Sequence, residues 1–364
     1  MLVRFEIVKK YMDKRCIDAV LLDSPDNIYW YFEGEVDSRI DQTRERGSFS
    51  ILITGNKTIA ICPEYDYERL KDEVLPPEVD AISCGRGEEF DHAVKRFCRS
   101  FEKVSTDNRR MYDERFSLLD EEFYLNMQEL NDREIMRLRI MGKLSESILC
   151  EFAPELQPGM TELEIEKVLR ALLIESGLEV PVLCVGSDER VARYVYPVST
   201  GKKVQKYIVM RAVVRKQGLR IAFTRYFHFG EIPSEIEQNH ERASGVFAKA
   251  AVAMMKARSM GEIYEEIQRA YSELKITPDF NGCPPGTSLG YSGEKFEMSQ
   301  NSSLPVRSPA AYVLSPRVGG IFSEDTILVS DGGTAEFVTL SEDFPKIKVR
   351  LESFRVHRPW IMVL

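Results

Sequence analysis

Two blocks of apolar residues lie around a Lys-Gln-Gly turn in residues 207 to 230, YIVMRAVVRKQGLRIAFTRYFHFG. The pattern predicts a hairpin of two mostly buried strands. Arg211 interrupts the first strand, and the small Ala222 sits in the second. Upstream, the pattern alternates between helix and strand. FEIVKKYMDKR has helical spacing, AVLLD is a short buried strand, and Ser24-Pro25 offers an N-cap followed by proline at the first helical position. SFSILIT and TIAIC flank Gly55-Asn56, a strong hairpin signal. EYDYERLKDEV and FDHAVKRFCRSF read as helices on either side of the strand VDAISC. Together these form an α/β domain of roughly 120 residues.

The pattern changes near Asn131. NDREIMRLRIMGKLSESILCEFA predicts a long amphipathic helix from a polar cap, and Thr161 with Glu164 forms a capping box for the next helix. Gly177 stands where that helix should stop. After the hairpin come helices over about 234 to 257 and over GEIYEEIQRAYSEL, then a strand- and loop-rich end from Asn281. No internal repeat or low-complexity segment interrupts this order.

Composition narrows the function classes. The 364 residues are 43% hydrophobic and 29% charged, as in folded soluble proteins. A net charge of −9, with no Lys/Arg run that would track phosphates, sets nucleic acid aside as a direct ligand. The seven cysteines form no CxxC pair, and their odd count argues against a disulfide framework. The opening MLVRFEIVKKYMDKR has no apolar core of signal-peptide length, and AKAAVAMMKA is too short to span a bilayer. The expectation is a cytoplasmic protein with no membrane partner.

The order of these signals resembles the creatinase/Xaa-Pro peptidase superfamily with the pita-bread fold. KRCIDAVLLDSPDNIYWYFEG is similar to the opening of that family's N-terminal domain, and QPGMTELEIEKVLRALLIESG to the paired helices that open its catalytic domain. FTRYFHFGEIPSE resembles the segment after the second metal-binding aspartate, and FSEDTILVSDGG the closing glutamate strand. The resemblance implies an α/β N-terminal creatinase-like domain over 1–128. An α+β pita-bread domain would cover 129–364, with an extra C-terminal tail from about 346. In that tail, KIKVRL suggests an added strand, and the apolar WIMVL must either dock or form an interface.

Active members of the family hold two divalent metals with two Asp, one His and two Glu. Hard cations need several anionic oxygens, and their combined charge activates a bridging water. If Gln217-Gly218 is the hairpin turn, Arg211 opposes Thr224 and Val213 opposes Ala222. Arg211 and Ala222 then share one face, about 7–8 Å apart on the diagonal. The resemblance places the two aspartates at these positions. It likewise places the histidine at Thr287 in GTSLG, one glutamate at Ser315 before Pro316, and the last glutamate at Glu324. Only Glu324 keeps its identity. The helper histidines fall on Val195 and Glu294, and the arginine two residues before the last glutamate falls on Phe322. No aspartate lies between Glu189 and Asp279, so shifting the alignment does not restore the hairpin ligands.

Arg211 has two readings: a ligand-binding cation, or a buried cation paired with Glu324 that replaces the metal charge. They are compatible, because a paired guanidinium keeps spare donors. Glu324 reads as a vestige of the family site, and Glu294, beside Lys295, as a solvated charge. Thr287 and Ser315 read as pocket-lining residues, since no histidine base stands near to activate a hydroxyl. Cys184 and Cys283 read as buried thiols, and His228 as a packed, hydrogen-bonded histidine.

The resulting expectation is an Xaa-Pro dipeptidase-related protein without metal or cofactor: a catalytically inactive pseudopeptidase with no catalytic residue. Its cleft would take a peptide or a small carboxylate, and the resemblance implies a homodimer. The alternatives are an active Xaa-Pro dipeptidase or aminopeptidase, and a metal-free creatinase-like hydrolase.

Overall fold

The computed structural model describes residues 3–85, 89–280, 282–292, 296–351 and 353–364. Their contacts divide the chain into two compact units, Met1–Met127 and Gln128–Leu364.

The first unit is a mixed six-stranded sheet with helices. In chain order it contains α1 (Val3–Arg15), β1 (Ala19–Leu22), α2 (Pro25–Tyr31), β2 (Ser50–Thr54), β3 (Thr58–Cys62) and the single turn α3 (Tyr67–Arg69). Then follow β4 (Val79–Ser83), α4 (Phe90–Phe97), β5 (Val104–Thr106), β6 (Phe116–Leu118) and α5 (Glu121–Asn126). The sheet order is β4-β3-β2-β1-β5-β6. β2 and β3 pair antiparallel around Gly55-Asn56, as the sequence predicts. β1 and β5 are parallel neighbours, so the residues that follow them, Asp23 and Asp107, come side by side at their C-terminal ends. One face of the sheet is sealed by a cluster including Leu21, Leu52, Ile61, Val94, Val104 and Phe116.

The second unit opens with α6 (Asp132–Phe152) and α7 (Glu162–Glu175). Both start at capping boxes, Asn131 with Glu134 and Thr161 with Glu164, where each glutamate returns to the backbone N–H of its cap. Gly177 ends α7 with φ of 75°, a left-handed value that glycine adopts without strain. Next come β7 (Glu179–Ser187), α8 (Glu189–Arg193), β8 (Tyr207–Lys216), β9 (Leu219–His228), α9 (Ser234–Met254) and α10 (Met260–Glu273). The remainder is β-rich: β10 (Gly286–Leu289), β11 (Ala310–Leu314), β12 (Arg317–Val318), β13 (Ile321–Phe322), β14 (Asp325–Ser330), β15 (Thr334–Phe337), β16 (Lys346–Arg350), β17 (Arg355–Pro359) and β18 (Ile361–Val363).

The β8–β9 hairpin turns at Gln217 and Gly218, whose φ values of 48° and 82° suit the mirror-image turn that matches strand twist. Its register is the expected one: Arg211 opposes Thr224 and Val213 opposes Ala222. The hairpin sits in the sheet β18-β9-β8-β7, and a second sheet runs β10-β11-β14-β15. KIKVR forms β16 and pairs with β17. The WIMVL end docks within its own unit, where β18 lies parallel on β9 with Ile361 opposite Tyr226.

Candidate site: a buried arginine–glutamate pair

The outer edge of β9 sets the site. Thr326 Oγ1 accepts from the backbone N–H of Ala222 at 2.8 Å and donates to its carbonyl at 2.9 Å. Two residues on, the Thr224 N–H donates to the Glu324 carbonyl at 3.2 Å. These bonds bring the start of β14 against the hairpin. Because side chains alternate along a strand, Arg211 and Thr224 share their face with Ala222.

Arg211 meets Glu324 through both arms of its guanidinium. Nη2 donates to Oε1 at 2.7 Å and Nε to Oε2 at 2.9 Å, a bidentate pair with both residues buried. Thr224 Oγ1 donates to Oε2 at 2.5 Å, so a hydroxyl completes the carboxylate's shell. Nη1 of Arg211 donates to the Val195 carbonyl at 3.1 Å. The Tyr196 and Phe322 rings lie 4.4 and 4.5 Å from the guanidinium carbon, within cation–π range. Burial alone would push the Arg211 pKa down. The Glu324 carboxylate overrides it and holds the guanidinium above its ordinary range.

Four of the expected site residues, Arg211, Glu324, Val195 and Phe322, are therefore in direct contact. Val195 contributes only its carbonyl. Ala222 is 2% exposed and is fixed by its backbone to Thr326. Thr287 opposes Val313, which in turn opposes Thr326, so it lies in the same cross-strand row. Its buried hydroxyl has no hydrogen-bond partner among the described residues. Ser315 follows β11, half-buried, with its hydroxyl 3.5 Å from the Pro284 carbonyl. Glu294 lies outside the described residues.

Sequence reasoning missed Thr224 and Tyr196. Thr224 was within reach, since the turn already puts it opposite Arg211. Tyr196 had no signal, because it reaches the guanidinium from an irregular segment after α8.

The pair does not fit a two-metal centre. A divalent cation would find one carboxylate, with both oxygens already engaged, beside a fixed positive charge. Among the described residues no group of three or more His, Cys, Asp or Glu is placed to hold a metal ion. Nor is the pair a proton shuttle, because arginine does not give up its proton. The buried His240 binds the Tyr207 hydroxyl at 2.6 Å and is pushed down to about 3 by burial. His228 binds the Gly230 carbonyl at 3.1 Å, at the end of β9.

Comparison with known proteins gives this architecture its family. The pattern that defines metallopeptidase family M24 matches residues 136–331, more than half of the chain. The chain belongs to that family. It is 24% identical over 358 residues to an Xaa-Pro dipeptidase of Pyrococcus furiosus, covering 91% of this chain and 96% of that one. An X-Pro aminopeptidase from Thermotoga maritima superposes with a TM-score of 0.76 at 18% identity, covering 99% of both chains. The N-terminal domain of a FACT complex subunit from chickpea (Cicer arietinum) has a TM-score of 0.68 at 12% identity, covering 93% of this chain and 97% of that one. The M24 chain thus has the two-domain pita-bread architecture of the prolidases. Among its described residues, no helix is long and apolar enough to cross a membrane.

Proposed function

We propose that this M24 chain is a non-catalytic, metal-free relative of the Xaa-Pro dipeptidases. In it, the Arg211 guanidinium takes the place of the metal charge. The observation that carries this reading is the bidentate contact of Arg211 with Glu324, closed by Thr224. A carboxylate buried without a cation is costly, so the guanidinium supplies what lost metals would have left unbalanced. Arg211 has five N–H donors, of which three have partners among the described residues. The remaining two, beside the half-exposed Tyr196, suit the carboxylate of a peptide or small acid. Localisation in the cytoplasm and assembly as a homodimer are part of the same proposal.

Metal analysis of the purified protein, with Xaa-Pro dipeptide hydrolysis measured after adding Mn2+ or Co2+, tests it. The expected result is substoichiometric metal and no metal-dependent turnover. A stoichiometric divalent ion that raises Xaa-Pro cleavage would sink the proposal and favour an active dipeptidase, the alternative supported by likeness to the Pyrococcus enzyme. Turnover of guanidino or amidino substrates without metal would favour a creatinase-like hydrolase.

A further inference from the structure

The C-terminal strands reach both sides of Glu324 by separate routes. Arg358, on β17, is 1% exposed and donates from Nε and Nη2 to Ser323 Oγ at 3.2 and 3.0 Å. Its Nη2 also pairs with Asp325. Ser323 and Asp325 are the residues immediately before and after Glu324. The second route runs through β18. Ile361 opposes Tyr226 and packs with Tyr207, Val209 and Ile321. The Tyr226 hydroxyl accepts from the Phe322 N–H at 2.8 Å, and the Phe322 ring lies against the Arg211 guanidinium. One route therefore steadies the carboxylate's strand, and the other steadies the guanidinium's stacking partner.

Charge balance gives Arg358 a further role. Arg225, fully buried, donates to Glu146 at 2.7 Å and to Asp325 at 2.9 Å. Those three residues alone sum to one negative charge in a dry interior. Arg358 brings the cluster to zero, and its guanidinium is also seated 3.3 Å from the Phe247 ring centre. The outer edge of β9 is completed in the same way. Thr326 covers it at Ala222, Glu324 at Thr224, and β18 at Tyr226 to His228. Yet β18 is only three residues long, and Val363 at its end is 57% exposed.

We propose that Arg355–Leu364 is a latch that holds the Arg211–Glu324 pair closed, with Arg358 as its positioning residue. While the latch is docked, Ser323, Asp325 and Phe322 are fixed, and the pair they surround stays dry. With the latch displaced, the start of β14 and the outer edge of β9 open to water, while β10 and β11 keep their pairing. This role depends on packing around the pair and is independent of whether the protein hydrolyses peptides.

Hydrogen exchange followed by mass spectrometry on the full-length protein tests the latch, using Arg358→Met, Arg358→Lys, Ile361→Ala and a deletion of residues 361–364. The expected result is exchange about tenfold faster in peptides covering 222–226 and 320–326, with peptides from β10, β11 and the first unit unchanged. Cys184, which opposes Arg211 across β7 and β8, should react faster with a thiol reagent. Arg358→Lys, which keeps the charge, should open the site less than Arg358→Met. Uniform acceleration across the second unit would make the segment a general stabiliser and overturn the proposal. So would unchanged exchange in the deletion and in Ile361→Ala. Ile361→Ala and the deletion both retain Arg358, so they carry the test if Arg358→Met does not fold.

Discussion

Both units place a carboxylate at the end of a strand or just before one, and they satisfy it in different ways. In the first unit, Asp107 accepts from the N–H groups of Asp23 and Ser24 at 2.8 and 3.0 Å and from Asn27 at 2.7 Å. These three partners are neutral donors, and a second carboxylate, Asp23, stands beside them. In the second unit, Glu324 meets a guanidinium. Neutral donors fill lone pairs without cancelling net charge. Burial, followed by repulsion from Asp23, therefore pushes Asp107 up to about 7. The teaching of the pair is that hydrogen-bond satisfaction and charge satisfaction are separate requirements.

The sharpest way to break the comparison is to remove the cation. Arg211→Met should cost about 3–5 kcal/mol in denaturant unfolding, because it strands Glu324. Arg211→Met combined with Glu324→Leu should recover much of that loss. If the double variant is as unstable as the single one, the contribution of Arg211 is packing and the contrast with Asp107 fails.

Next in size is the pH dependence of the first unit. Asp107 has its pKa raised from about 3.9 when unfolded, so the folded state holds more protons between pH about 4 and 7. The stability from this group is present at low pH and is lost as pH rises through about 7, at up to about 1.4 kcal/mol per pH unit. Asp107→Asn should flatten this slope in calorimetry, and a slope that persists would assign it to another group.

His240 supplies the opposite slope in the second unit. Its pKa is pushed down to about 3 by burial, so between about 6.5 and 3 the unfolded chain binds the extra proton. The stability from this group is present above about 6.5 and declines as pH falls, by about 1.4 kcal/mol for the first full unit. His240→Gln should remove that decline, provided the amide keeps a bond to the Tyr207 hydroxyl. The smallest effect is expected at Asp279. This residue pairs with the buried Arg317 at 2.9 Å but is 39% exposed, so Asp279→Asn should cost less than about 1 kcal/mol.

The sequence made the site's platform legible because its determinants are local. Gln217-Gly218 fixes the turn, the turn fixes the register, and the register pairs Arg211 with Thr224 and Val213 with Ala222. The capping boxes at Asn131 and Thr161 are equally local. The charge partner of Arg211 was also accessible, since the family resemblance singled out Glu324 as the one acid it expects that the sequence keeps. Arg358 was not accessible. Its contact with Asp325 spans 33 residues of hairpin and loop, and nothing in KIKVRLESFRVHRPW marks which of its cations turns inward. Tyr196 was hidden for the same reason, and so was the meeting of Asp23 with Asp107 across 84 residues.

Thr326 carries one more consequence. Its hydroxyl holds both backbone atoms of Ala222 from another strand, so the position of that residue does not depend on what its side chain does. A residue anchored by its main chain is an exchangeable socket. Because Ala222 is 2% exposed, what limits a substitution there is room for the new side chain, not the hold on the strand.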